Sequence, residues 1–329
     1  MKHANISIFV PHLGCPNDCS FCNQRFITGQ SIAPTPEDVV NAVNTALNSP
    51  NYNPASTEIA FFGGSFTAID KEYMLSLLSA AYVFVKNKKV KGIRVSTRPD
   101  CIDEDILNVL KDYGVTSIEL GAQSMVDSVL VANNRGHLSY DVVKASNLIR
   151  NKGFELGLQM MTGLYTDTDE GSVFTANKII ELMPDTVRIY PTIVLKNTKL
   201  AHLFESGEYI PQTISSAVNL CVTLSNLFAD RGIKVIRTGL HAIDESAYVA
   251  GPWHPAFSEL CETEKIYREI IHACNKLKEY VVHVNPSDIS KAVGQKRSNL
   301  DRLKTEGYKI TFVQNNNIEK NRILIKEVK

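Results

Sequence analysis

Apolar residues in this chain come in short bursts, each closed by glycine, proline or a polar cluster, and between them the apolar spacing lengthens to the period of a helix. Ile6-Ser7-Ile8-Phe9-Val10 is the first burst, ended by Pro11 and Gly14, and reads as a buried strand. Thr35-Pro36-Glu37-Asp38 reads as a helix start, with a threonine cap and a proline in the first turn. That helix carries Val39, Val40, Val43 and Leu47 and should stop before Pro50. Glu58 to Phe62 is the next strand, ended by Gly63-Gly64, and a helix follows through Tyr73, Leu75, Leu77, Leu78 and Tyr82.

The alternation continues. Strands are expected at Gly92 to Ser96, Thr116 to Leu120, Phe154 to Met160 and Thr186 to Tyr190. Helices are expected at Asp103 to Lys111, from Val126, at Tyr140 to Asn151, around Glu170 to Leu182 and from Gln212 to Asp230. Six strands alternating with helices predict an α/β fold, a partial (βα)6 TIM-like barrel of parallel strands. Its functional residues should gather at the carboxyl ends of the strands. Ile233 to Arg237 reads as one more edge strand.

Past residue 240 the pattern changes. Gly251-Pro252-Trp253-His254-Pro255 is turn-rich, and Phe257 to Leu277 reads as one long helix. Strands at Tyr280 to Val284, Lys309 to Val313 and Ile323 to Ile325 flank a helix at Ser298 to Lys304, with Asn315-Asn316-Asn317 as a hairpin tip. The expected division is a barrel over residues 1–240 and a small α/β extension over 241–329.

Composition narrows the function. The chain has 329 residues, 44% of them apolar, enough for a sizeable core. Thirty-five Lys and Arg balance thirty-five Asp and Glu, whereas a dedicated nucleic-acid binder usually carries a basic excess. The balance favours a small-molecule substrate over nucleic acid. No run of 18 apolar residues occurs, and the amino terminus runs into a strand without a signal-like apolar core, so the expected setting is the cytoplasm, with no membrane partner. An odd count of seven cysteines argues against a disulfide framework.

Three of those cysteines, Cys15, Cys19 and Cys22, are spaced C-x3-C-x2-C. A loop that short can turn three thiolates towards one centre, as iron–sulfur clusters and zinc both require. No second Cys or His pair follows at zinc-finger spacing, which favours the cluster, and a non-catalytic zinc protein is the alternative. Three ligands would leave one iron of a four-iron cluster open. Further polar clusters end the strands. Gly63-Gly64-Ser65 permits close backbone approach, and Ser96-Thr97-Arg98 offers hydroxyls and a guanidinium, unless Arg98 merely pairs with Asp100 or Asp103. Glu119 to Ser124 and Asn133 to His137 supply Gln123 and Arg135. Glu119, Gln159, Tyr190 and Arg188 lie at strand ends by position, Arg188 and its neighbour Ile189 facing opposite ways, with Tyr165 and His241 as weaker candidates; ordinary core or surface duty is the alternative for each.

At these residues the sequence resembles the radical S-adenosylmethionine (radical SAM) superfamily, whose signature has an aromatic residue before the third cysteine, here Phe21. The resemblance implies that Cys15, Cys19 and Cys22 hold a [4Fe–4S] cluster whose fourth iron is chelated by the methionine moiety of S-adenosylmethionine. One electron from an external donor such as flavodoxin or ferredoxin would then cleave the S–C5′ bond, and the resulting 5′-deoxyadenosyl radical would abstract a substrate hydrogen. Gly63, Gly64 and Ser65 correspond to a Gly-Gly-Glu-like segment that binds the methionine amino group, with Ser65 replacing the glutamate. Phe21, Ser96, Arg98, Gln123 and Arg135 fall with the cofactor. The ordered strand-end motifs over residues 5–240 are similar to the elongator catalytic subunit branch, although the cysteine spacing is the common short form and no acetyltransferase domain fits in the 89 residues after the barrel. Shorter members of that branch include queuine lyases of queuosine salvage. Similarity to those would imply a carbon–nitrogen lyase cleaving queuine to 7-aminomethyl-7-deazaguanine, with Gln159, Tyr190, Glu119, Tyr165 and His241 as candidate contacts to a 7-deazapurine base. A radical SAM enzyme modifying a tRNA base is the alternative.

Overall fold

Seven strands pair in parallel in the order β1 (Ala4–Val10), β2 (Thr57–Gly63), β3 (Gly92–Thr97), β4 (Val115–Gln123), β5 (Glu155–Thr162), β6 (Thr186–Pro191) and β8 (Lys234–Thr238), in a computed structural model that describes residues 3–11, 15, 18–22, 32–240, 243 and 245–328. Between β6 and β8 the two-residue strand β7 (Val194–Leu195) pairs antiparallel with β9 (Tyr248–Ala250), a ribbon too short to register in the apolar pattern. The parallel sheet curls into a half-barrel. The edge strand expected at Ile233 to Arg237 is the seventh member, aligned beside β6.

The helices between the strands begin where capping chemistry places them. Thr35 accepts from the Asp38 amide while the Asp38 carboxylate accepts from the Thr35 amide, a reciprocal box that starts the helix Pro36–Leu47. Asp70, Asp103, Thr168 and Thr198 cap the helices Lys71–Lys86, Glu104–Asp112, Asp169–Glu181 and Lys199–Glu205 in the same way, each accepting from an amide three residues on.

Strand alternation divides the side chains into two sets. Ile59, Phe61, Ile93, Val95, Ile118, Leu120, Leu156, Leu158, Val187 and Ile189 are fully buried on the helix-covered face. Their neighbours point into the half-barrel and are mostly polar. Towards the amino ends of the strands Arg94 bridges Glu58 (3.0 Å) and Glu155 (2.7 Å), with the Ser117 hydroxyl 3.1 Å from each carboxylate and able to donate to either. That network closes the floor; the carboxyl ends stay open.

The chain divides into two compact units, residues 1–213 with 227–253, and residues 214–226 with 254–329. In the second, β10 (Glu279–Val284) is central, parallel to β11 (Lys309–Gln314) and antiparallel to β12 (Ile323–Glu327). Its core joins Ile266, Tyr267 and Ile270 of the helix Phe257–Ala273 to Val282, Val284, Ala292 and Leu303. Two expectations change here. Asn315-Asn316-Asn317 is no hairpin tip, because β11 and β12 flank β10 instead of pairing with each other. The long helix ends at Ala273 and not Leu277, since Cys274 is extended and the Asn275 side chain accepts from the Leu277 amide (2.9 Å), folding a local turn. No helix among the described residues is long and apolar enough to cross a membrane.

Candidate active site

A cavity of about 440 Å³ lies at the carboxyl ends of the strands, and Cys15, Cys19 and Cys22 all line it. The ends of β1 and β2 approach so closely that only glycine fits between them. Gly63 takes φ +122°, and a Cβ there would fall 2.2 Å from the Val10 carbonyl oxygen, which also accepts from the Gly64 amide (3.2 Å).

The cysteine loop is tied to the fold through Ser20, which is fully buried. Its amide and hydroxyl donate to the backbone and side-chain oxygens of Asn133 (3.1 and 2.6 Å), and its carbonyl accepts from the Leu200 amide (2.8 Å). Asn133 in turn donates to the carbonyls of Val129 (2.8 Å) and Tyr165 (2.9 Å), so one buried amide aligns three segments. Arg135, two residues on, sends Nη1 to the Cys19 sulfur (3.2 Å) and Nη2 to the Gly121 carbonyl (2.8 Å). Burial, then the neighbouring Cys19 and Cys15, pushes the Cys22 thiol up to about 12, and burial also raises Cys15. A cation brought to the site would favour the ionised forms of Cys15 and Cys22. The thiols share the cavity without forming a closed metal cage: among the described residues no three His, Cys, Asp or Glu side chains stand at metal-holding distance. Ligand geometry of this kind is commonly completed by the metal itself.

Beside the cysteines, Ser96 Oγ, Arg98 Nη1 and Arg135 Nε are buried without a hydrogen-bond partner, and all three residues line the cavity. Unpaired buried donors at one cavity suit a polar ligand. The Arg98 fork is occupied by Asp100, with Nε and Nη2 each 2.9 Å from a carboxylate oxygen, so the pairing expected as its alternative role is formed. Arg98 Nη2 also donates to the Arg135 carbonyl. Ser65 stands behind the glycines, its hydroxyl bonded to that of Thr97 (2.8 Å).

Also lining the cavity, Glu119 meets Arg188 Nε at 2.8 Å, and Arg188 Nη1 donates to the Tyr190 hydroxyl at 3.3 Å. The Arg188 guanidinium carbon lies 5.3 Å from the Phe62 ring centroid. Gln159 donates to Gln123 (3.2 Å). Burial raises the Tyr190 phenol, keeping it a neutral donor. Glu119, Gln123, Gln159 and Tyr190 therefore line one cavity with Phe21, Gly63 and Gly64. Tyr165 does not join them: its ring packs edge-on against Tyr209 (6.3 Å, 74°) and against the apolar cluster of Val194, Leu200 and Ala201. His241 lies outside the described residues. Arg188, a candidate by position, lines the cavity too; Phe9, Phe62 and Met161 join it, each two residues from another lining position or beside the glycine pair, a period-two signal present in the sequence.

Residues 9–178, just over half of the chain, match the family model of the radical SAM superfamily. The chain belongs to that superfamily. Residues 184–268 match the radical SAM C-terminal domain. An uncharacterized protein of Methanocaldococcus jannaschii is 26% identical over 252 residues, spanning 75% of this chain and 74% of that protein. The tRNA uridine(34) acetyltransferase of Dehalococcoides mccartyi is 23% identical, over 68% of this chain and 56% of its own length. Human elongator complex protein 3 is 31% identical, over 53% of this chain and 36% of its own. The chain thus spans about half or less of these two larger relatives. In solved structures, the fold is shared with the Methanocaldococcus infernus Elp3 lacking residues 1–46, at TM-score 0.64 and 21% identity, over 82% of this chain and 64% of that one.

The cofactors of the family are a [4Fe–4S] cluster and S-adenosylmethionine. The cavity fits both, with three thiols on one side and unpaired buried donors beside them.

Proposed function

We propose that this radical SAM enzyme takes a hydrogen atom from a polar, planar nucleobase held in the half-barrel, and that the base is queuine, opened by carbon–nitrogen cleavage to 7-aminomethyl-7-deazaguanine. The observation that carries the reading is the polar set Glu119, Arg188, Tyr190, Gln123 and Gln159 lining the same cavity as the cysteines. Such a set matches the alternating donors and acceptors of a deazapurine edge, and Phe62 supplies an apolar face beside it.

Cys15, Cys19 and Cys22 would hold the cluster, and Gly63, Gly64, Ser96, Arg98 and Arg135 the nucleoside cofactor, with Phe21 and Gln123 lining the same space. The bound cluster and S-adenosylmethionine supply one-electron chemistry able to remove a hydrogen atom from an unactivated carbon. The protein's part is positional. Glu119, held by Arg188, accepts from the amino edge of the base; Arg188 and the neutral Tyr190 phenol donate to its carbonyl side; Gln159 fixes its orientation in the plane. The apolar side chains Phe9, Phe62 and Met161 exclude water around the reacting carbon. An external one-electron reductant such as flavodoxin or ferredoxin completes the set.

The test is anaerobic incubation of the reconstituted enzyme with queuine and other 7-deazapurines, reading products by mass. Release of 7-aminomethyl-7-deazaguanine from queuine supports the proposal; 5′-deoxyadenosine formed without any change in the base refutes the substrate. A second reading, a base attacked within tRNA, is favoured by the likeness to proteins named tRNA uridine(34) acetyltransferase. It predicts turnover on tRNA and none on the free base.

A further inference from the structure

Overall neutrality conceals an uneven distribution of charge. Residues 254–329 carry fourteen Lys and Arg against ten Asp and Glu, net +4, which leaves the rest of the chain at net −4. Several of these cations are spent in ion pairs: Lys278 with Glu327, Lys291 with Asp288, Arg302 with Glu264 and Glu306, and Lys309 with Glu279. Lys296 and Arg297 are not. Both are exposed, and the side chain of neither meets a partner among the described residues.

These two sit on a turn of specific construction. Gly294-Gln295-Lys296-Arg297 joins the helix Ile289–Val293 to the helix Ser298–Thr305, and both helices pack through Ala292 and Leu303 on the β11–β10–β12 sheet. Gly294 takes φ +82°, and a Cβ there would lie 2.3 Å from Ser298 Oγ and 2.8 Å from the Asn299 amide nitrogen. Asn299, only 3% exposed, donates to the carbonyls of Thr263 (2.8 Å) and Ala292 (3.2 Å), fixing the second helix against the elements before it. Lys296 and Arg297 are both left-handed, at φ +51° and +66°, a conformation side chains resist and glycine accepts. The turn therefore holds two bare cations forward on a fixed backbone.

We propose that this unit binds a single-stranded polynucleotide, with the Gly294–Arg297 turn gripping its phosphate backbone. A glycine-opened four-residue turn between two helices resembles the G-x-x-G loop of KH modules, which clamps about four nucleotides. Here Arg297, left-handed at φ +66°, stands at the fourth position of the turn, where that loop has its second glycine, and carries a charge. Charge complementarity selects the partner: unpaired cations on a fixed turn of a net-positive unit match a phosphate chain. β11, at the edge of the sheet, presents its outer row of backbone groups for contacts to bases. Binding at this turn is independent of whether the base reacting in the barrel is free or part of RNA.

The experiment is fluorescence anisotropy on the full chain with a twelve-nucleotide RNA, the DNA of the same sequence and the corresponding duplex, across a salt series. Wild type should bind the single strands in preference to the duplex, with affinity falling steeply as salt rises; the RNA and DNA arms identify the sugar. Lys296→Asp combined with Arg297→Asp should weaken binding at least tenfold and flatten the salt slope by about 1.4, the value for two single-strand phosphates. Arg297→Gly, which relaxes the backbone and removes one charge, should flatten it by about 0.7. If the double variant is unfolded by thermal melting, Lys296→Gln with Arg297→Gly carries the same expectation as the aspartates. No binding by wild type at low salt, equal affinity for duplex and single strand, or a folded turn variant binding like wild type each overturns the proposal. Cluster content and S-adenosylmethionine cleavage should be the same in every variant, so failure here is separable from failure of the barrel chemistry.

Discussion

Arg135 Nη1 stands 3.2 Å from the Cys19 sulfur while Nη2 holds the Gly121 carbonyl at 2.8 Å, so one buried guanidinium couples the cysteine loop to the end of β4. A positive donor on a ligand sulfur stabilises the more negative, reduced state of a cluster. Arg135→Met should therefore retain iron yet lower the midpoint potential by tens of millivolts, read by an EPR-monitored redox titration. An unchanged potential with full iron content would remove Arg135 from that role.

The Glu119–Arg188 pair is buried on both sides, with side-chain exposures of 5% and 9%. Removing one partner strands the other charge in a place poor in water. Arg188→Met should destabilise the fold by about 3 kcal/mol or more, and the double change with Glu119→Gln should recover much of that. Denaturation by urea checks the cycle. Both singles should also stop substrate turnover while 5′-deoxyadenosine still forms without substrate.

His137 is 3% exposed, with its Nε2 3.3 Å from the Ala122 carbonyl. Burial, reinforced by the Arg135 charge, pulls its imidazole down from 6.5 to about 4. The unfolded chain gains a proton here as pH falls through 6.5, and the folded chain gains it only near 4. The contribution is whole above 6.5 and should decline by about 3 kcal/mol on the way down to 4. Urea midpoints at pH 7 and pH 5 should separate clearly in the wild type and less in His137→Gln; equal separation in both would clear His137.

Gly63→Ala places a methyl group against the Val10 carbonyl in a backbone conformation alanine avoids. It should cost about 1–3 kcal/mol of stability and disturb the cofactor end of β2. Gly207→Ala is the control, also at positive φ (+79°) but with nothing within 4 Å of the added carbon. Thermal melting of the two variants should show the larger loss for Gly63; equal losses would assign the effect to backbone strain alone.

The barrel was legible because its signals are local. Glycine and proline punctuate short strands, and threonine or aspartate opens the helices, so element order follows from neighbours in sequence. The cysteine loop was legible for the same reason. What escaped were relations across the chain: Ser20 with Asn133, separated by 113 residues, and the two-residue ribbon β7–β9, too short to carry a period. Tyr165 shows the limit from the other side. Its place next to a strand end pointed towards substrate, yet its ring packs against Tyr209 in an apolar cluster formed by residues 29 and more positions further on. Whole-chain charge is silent on distribution, because a sum of zero covers two units of opposite sign.

All of the barrel chemistry rests on Cys15, Cys19 and Cys22 together holding an iron–sulfur cluster that opens S-adenosylmethionine. The most direct measurement is 5′-deoxyadenosine formation after anaerobic reconstitution with iron and sulfide, reduction and addition of S-adenosylmethionine, for wild type and Cys19→Ala side by side. The expected result is product from wild type and none from a Cys19→Ala protein that melts cooperatively. Product from the variant, or a wild type that takes up zinc and no cluster, would contradict it.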